Sequence, residues 1–191
     1  LTDFQYLSSE WKENCEAERL LGVSMTGVMD SPIARNPEVL DKLRTYAVEV
    51  NQEYARRFGI NPSNAVTCIK PSGNTSQFVD SASGIHARHS PYYIRRVRIN
   101  ASDPIFHMLK DQKYPYYPEN GQSMNAATTY VIEFPVKSPP GSVFRRDLSA
   151  IDQLENWKIF KEHYTEHNPS VTISVGNDEW IKAGAWVHEN W

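Results

Sequence analysis

A long helix that gives way to a short β-branched run and then to a breaker constrains this chain more than any other feature. Asn36 is an N-cap residue and Pro37 suits the first helical position. Val39, Leu40, Leu43, Tyr46, Ala47, Val50 and Tyr54 then keep helical spacing as far as Gly59. Ala65, Val66, Thr67, Cys68, Ile69 and Lys70 follow as a buried strand, stopped by Pro71-Ser72-Gly73. A helix succeeded by a strand of this kind favours an α/β arrangement with parallel strands.

The rest of the chain fits that layout. Residues 19–29 alternate apolar side chains with glycines and carry no charge after Arg19, which predicts a buried strand or a tightly packed turn. Residues 94–99 alternate apolar and basic side chains, and 128–136 read as another strand. Residues 150–164 show a helical face of Ile151, Leu154, Trp157 and Tyr164; 171–175 are expected to form a last β segment before a short Trp-rich helix. No repeat or low-complexity tract interrupts the chain, so residues 1–191 are expected to form a single architecture.

Composition narrows the function. With a net charge of −3 and its basic residues scattered among acidic ones, the chain lacks the basic face that a phosphate backbone demands, so nucleic acid is not an expected partner. No apolar run reaches the length of a membrane span. Cys15 and Cys68, the only cysteines, are far apart and outside any metal-ligand spacing, which fits a reducing, cytoplasmic compartment. The first residue is not Met, and the aromatic periodicity of Trp186 to Trp191 runs to the last residue. Both ends are therefore expected to be cut.

Three stretches could carry chemistry. After the 65–70 strand, Ser72, Gly73, Asn74, Thr75 and Ser76 make a small, hydroxyl-rich loop whose backbone amides and side chains could cradle a phosphate, although a bare polar turn is the commoner meaning of such a sequence. Pro71, His86, Arg88 and His89 are candidates for lining a polar pocket beside it. His86 and His89 stand three apart but have no third ligand near them, so no metal site is expected. Arg96 and Arg98 fall on one face of their strand, where ion pairing is the simpler use. Glu166-His167-Asn168 has no nucleophile beside it, and Asn168 before Pro169 reads as a helix cap.

Lys70-Pro71-Ser72-Gly73, then Ser83-Gly84-Ile85-His86, then Tyr92-Tyr93-Ile94-Arg95-Arg96-Val97-Arg98 closely resemble the adenosylcobalamin-dependent (class II) ribonucleotide reductases. The likeness reaches back to Arg19 and Asp30 and forward through Glu133-Phe134-Pro135-Val136, Glu166 to Ile173, and Trp186-Val187. It implies a part of the carboxyl-terminal half of a ten-stranded α/β barrel, in which residues 72–76 hold the substrate's phosphates. The family commonly has Thr directly after Pro-Ser-Gly; here Asn74 intervenes before Thr75, which leaves open which side chain reaches the phosphate.

The resemblance also implies a thiyl radical on a cysteine within an Asn-x-Cys-x-Glu motif, a reducing cysteine pair and a dithiol reductant such as thioredoxin. This sequence has no such motif, and Cys15 and Cys68 match neither the reducing pair nor its carboxyl-terminal partner. The expectation is a piece of a ribonucleotide reductase acting on ribonucleotides, in the triphosphate form, that contains no catalytic residue and does not turn over alone. Adenosylcobalamin is expected in the parent and not stably on this piece, and an incomplete barrel invites self-association. The alternatives are the barrel of a diiron-dependent or glycyl-radical reductase, or a non-catalytic nucleotide-binding module.

Overall fold

In the computed structural model, which describes residues 3–190, the elements run α1 (Ser9–Glu18), β1 (Val23–Ser24), α2 (Pro37–Phe58), β2 (Thr67–Cys68), α3 (Thr75–Phe78), β3 (Tyr92–Asn100), α4 (Pro104–Asp111), β4 (Tyr116–Pro118), β5 (Thr129–Lys137), α5 (Ala150–His163) and α6 (Trp180–Glu189). What the sequence suggests at Leu1, Thr2 and Trp191 lies outside the described residues. The chain divides into two compact units: one holds the segment through Arg88 and resumes at Ser142, and the other is His89–Gly141.

In the first unit, α2 forms for the reasons the sequence supplies. The Asn36 side chain accepts hydrogen bonds from the amides of Glu38 (2.9 Å) and Val39 (3.3 Å), Pro37 opens the first turn, and Gly59 closes the helix with φ of 66°. α5 starts at a capping box in which Ser149 and Asp152 satisfy each other's backbone amides. Leu40 of α2 and Phe160 of α5 are fully buried and meet Val28, Ile69, Ile85 and Tyr164 in one apolar cluster. A smaller cluster of Ala150, Leu154 and Ala183 seats α6 against α5.

β2 is shorter than the predicted strand. It pairs in parallel with β1 over Val23↔Thr67 and Ser24↔Cys68. Its other edge is taken by side chains and loop backbone: the amides of Val66 and Thr67 donate to the Glu166 carboxylate (2.6 and 2.9 Å), and the Glu166 amide donates to the Thr67 carbonyl. Ala65, Val66, Thr67 and Ile69 are buried as expected. The 19–29 segment is buried only at its end, at Val28 and Met29, whereas Leu20 and Leu21 are 61% and 51% exposed.

Two other expectations are corrected. Residues 171–175 form no strand, because side chains meet their backbone: the Ser174 amide donates to Gln153, Gln153 donates back to the Ser174 carbonyl, and the Thr172 amide donates to His86. Asn168 caps no helix, since α5 ends at His163 with Tyr164 as its C-cap.

The second unit is an antiparallel sheet in the order β3-β5-β4. β3 and β5 pair without a break from Tyr92↔Lys137 to Asn100↔Thr129. On one face Phe106 of α4 lies flat on Tyr130 with ring centroids 4.4 Å apart, and Tyr116 meets both edge-on. The basic alternation of β3 is used in ion pairs, Arg96 with Glu133 directly across the ladder and Arg98 with Glu119. The fold is thus α/β with two small sheets among the described residues, and a ten-stranded barrel is not among the features they show.

Candidate functional site

The candidate site begins where β2 runs out. Ile69 is buried, Lys70 and Pro71 are exposed, and the chain turns through residues 72–76 into the single-turn helix α3. The turn is braced from within. The Ser76 amide donates to the Ser72 hydroxyl (2.8 Å), and the Ser76 hydroxyl donates to the Ser72 carbonyl (2.7 Å). Ser76 is fully buried by this arrangement, while Gly73, Asn74 and Thr75 stay exposed at the tip. The amides and hydroxyls of Ser72 and Ser76 are therefore engaged in holding the loop together, and the tip is what a ligand would meet.

Ser83 stands behind the loop. Its hydroxyl donates to the Ser72 carbonyl (2.6 Å) and accepts from the Ser72 amide (3.2 Å), so one side chain holds both peptide groups of Ser72. The neighbouring backbone allows no other course. Gly84 has φ of 55°, and a side chain there would come within 3.2 Å of the Lys70 carbonyl. Gly27 has φ of 74°, and a Cβ would meet that of Ser81 at 3.0 Å.

His86 and Arg88 complete this region with different duties. The Thr172 amide donates to His86 Nε2 (3.0 Å), so that nitrogen is unprotonated and Nδ1 donates to the Ser83 carbonyl (3.2 Å). His86 also lines a cavity of about 210 Å³ with Gln153, Asn156, Thr172 and Arg145. Arg88 is 7% exposed, and its guanidinium is committed: Nε and Nη2 grip both oxygens of Asp30 (3.1 and 2.9 Å), and Nη1 donates to Asp80 (3.0 Å). Burial works to lower the Arg88 pKa, but the hydrogen bonds to Asp30 and Asp80 outweigh it and raise it above its ordinary value. His89 belongs to the second unit, exposed and edge-on to Tyr93.

The structure therefore joins residues 72–76 and His86 through Ser83, and directs Arg88 away to two carboxylates. Asp30, Ser83 and Glu166 were not read in the sequence as parts of this site: Ser83 entered only within the family motif, and Glu166 only in a stretch set aside for want of a nucleophile. Asp30 had one visible signal, a lone carboxylate ending an uncharged run. Glu166 is held below the usual carboxylate range: burial would raise it, but the amides of Thr67 and Val66 and the Thr67 hydroxyl favour the charged form more strongly.

Among the described residues no group of three or more His, Cys, Asp or Glu is placed to hold a metal ion, and no helix is long and apolar enough to cross a membrane. A cavity of about 720 Å³ lies beside α2 and is walled in part by Leu20, Leu21, Tyr46, Val50, Tyr54 and Phe58. Glu18, Arg19, Asn51, Asn61 and Ser63 add polar groups to this otherwise apolar wall.

No protein-family model matches the chain. It is 26% identical over 146 residues to the adenosylcobalamin-dependent ribonucleoside-triphosphate reductase of Lactobacillus acidophilus, an alignment covering 74% of this chain and 19% of that protein. With the same enzyme of Lactobacillus leichmannii the identity is 24% over 205 residues, covering 88% of this chain and 27% of the relative. The chain thus spans about a fifth to a quarter of the length of these curated relatives. Its fold superposes on a crystal structure of a B12-dependent (class II) ribonucleotide reductase with a TM-score of 0.75 at 22% identity, over 92% of this chain and 29% of that one. Over most of its length the chain is similar to adenosylcobalamin-dependent ribonucleoside-triphosphate reductases, and it has the fold of the matching part of a class II ribonucleotide reductase.

Proposed function

We propose that this chain is part of an adenosylcobalamin-dependent ribonucleoside-triphosphate reductase and contributes the loop that receives the substrate's phosphates. The observation that carries the reading is the loop at residues 72–76: it follows a buried strand, its base is locked by Ser72 and Ser76, and its tip of Gly73, Asn74 and Thr75 is exposed. A small polar tip on a rigid base suits an anion, because its groups need no reordering on binding. Ser72 and Ser76 serve as the base and Gly73 to Thr75 as the contacting part. Pro71 sets the direction of the turn, and His86 supports it through Ser83.

In this reading the carbon-centred chemistry belongs to residues outside this chain, since it contains no Asn-x-Cys-x-Glu motif. Adenosylcobalamin would supply the radical when bound to the longer protein, and these residues would bind and orient the nucleotide. The matching stretch of the longer protein is a sector of a ten-stranded barrel in this proposal, and a dithiol such as thioredoxin is the reductant.

The test is to express the complete reading frame and assay ribonucleoside-triphosphate reduction with and without adenosylcobalamin under a dithiol. Activity that depends on the cobalamin supports the proposal. Activity only with a separate radical-generating subunit would assign the barrel to another reductase class, and a complete frame without a radical cysteine would make it a non-catalytic nucleotide-binding relative.

A further inference from the structure

The Ser83 hydroxyl holds both peptide groups of Ser72 from outside the 72–76 loop, the Ser81 hydroxyl reaches the Ser76 carbonyl at the loop's other end (3.5 Å), and the residues around Ser83 are fixed in turn. Ala82, just before it, donates its amide to Asp30 (2.7 Å) and receives at its carbonyl the Gly27 amide (2.7 Å) and the Thr26 hydroxyl (3.0 Å). Gly84, just after it, donates its amide to the Thr26 hydroxyl (3.0 Å). The Ser83 carbonyl accepts from the His86 amide (2.9 Å) and from His86 Nδ1. Asp30, the acceptor for Ala82, is itself held by the buried Arg88 guanidinium.

We propose that Ser83 is a positioning residue for the phosphate loop, held at its station by the Asp30–Arg88 pair, so that phosphate affinity depends on a hydroxyl that never touches the ligand. This rests on the phosphate-loop reading above. A tip of backbone groups binds an anion well only if it is ordered beforehand, and the residue that orders it contributes to affinity by sparing that entropy. The Ser72 carbonyl already accepts from Ser76, so the second donor from Ser83 fixes the plane of the peptide that leads into Gly73.

The experiment uses the complete protein and three variants: Ser83→Ala, Ser83→Thr, and the tip double variant Asn74→Ala/Thr75→Ala. The readouts are KM and kcat for the ribonucleotide and competitive inhibition by inorganic tripolyphosphate, which probes the phosphate subsite alone. Removing the Ser83 hydroxyl is expected to raise KM and weaken tripolyphosphate on the order of tenfold with kcat little changed, the signature of lost uniform binding at about the worth of one hydrogen bond. Ser83→Thr keeps the hydroxyl and is expected to restore both. If the tip variant weakens tripolyphosphate and Ser83→Ala does not, or if Ser83→Ala lowers kcat with KM unmoved, the positioning role is overturned while the loop reading stands. If neither variant weakens tripolyphosphate, the loop reading fails and this inference fails with it.

Discussion

The two sheets of this protein are held by different means. In the second unit, β3 and β5 form a nine-residue ladder in continuous register, and side chains such as Arg96 and Glu133 merely decorate it. In the first unit, β1 and β2 share only two residue pairs, and the strand that leads into the candidate site is kept in place by the Glu166 carboxylate, which accepts from the Thr67 amide, and by the Thr67 hydroxyl, which donates to the Tyr164 carbonyl. A long ladder is stabilised by repetition, and losing one side chain leaves the rest intact. A two-residue strand depends on a few contacts from distant residues, each of which matters more.

The comparison is sharpened most by cutting into the apolar cluster behind the short strand. Phe160 is fully buried among Val28, Leu40, Ile69 and Ile85, so Phe160→Ala should destabilise the first unit by about 3–5 kcal/mol in denaturant unfolding, through lost burial plus the cavity left behind. A loss under about 1 kcal/mol would show that this cluster does not carry the unit.

Glu166 comes next. Its folded pKa lies below its ordinary value of 4.5, so its stabilising contribution is complete above that pH and is lost as pH falls through the lower folded value. Glu166→Gln should cost about 1–3 kcal/mol near neutral pH, and the gap between wild type and variant should close in acid. A gap that persists unchanged to pH 3 would mean that the charge of Glu166 does not hold β2.

The smallest effect belongs to the ladder. Arg96 is two-thirds exposed, and Arg96→Ala should cost less than about 1 kcal/mol, a difference that shrinks further in high salt. A larger, salt-independent loss would place Arg96 in the packing of the sheet and narrow the difference between the two sheets.

Much of this was legible in advance for the elements whose signals are local. α2 needed only Asn36, Pro37, its apolar spacing and Gly59 to be bounded within a residue. β3 followed from the alternation of residues 94–99, β5 from the strand-like run at 128–136, and the ion pairing of Arg96 and Arg98 from their shared face. Residues 171–175 carried a strand-like pattern but met side chains of Gln153 and His86 in place of a neighbouring strand, which no local pattern reports. Arg88 looked like a pocket residue because an arginine in a polar loop has no visible partner in the sequence; Asp30, 58 residues away, is seen only when the chain is folded.

The sequence by itself determined the position of the candidate loop, the helix and strand that lead to it, and a family likeness spread over most of the chain, because helix caps, apolar spacing and breakers act over a few residues. Only the tertiary structure decided how the loop is held. Ser83, His86, Asp30 and Glu166 act on backbone that lies from three to a hundred residues away, through hydrogen bonds whose geometry exists only after the apolar clusters have brought the segments together.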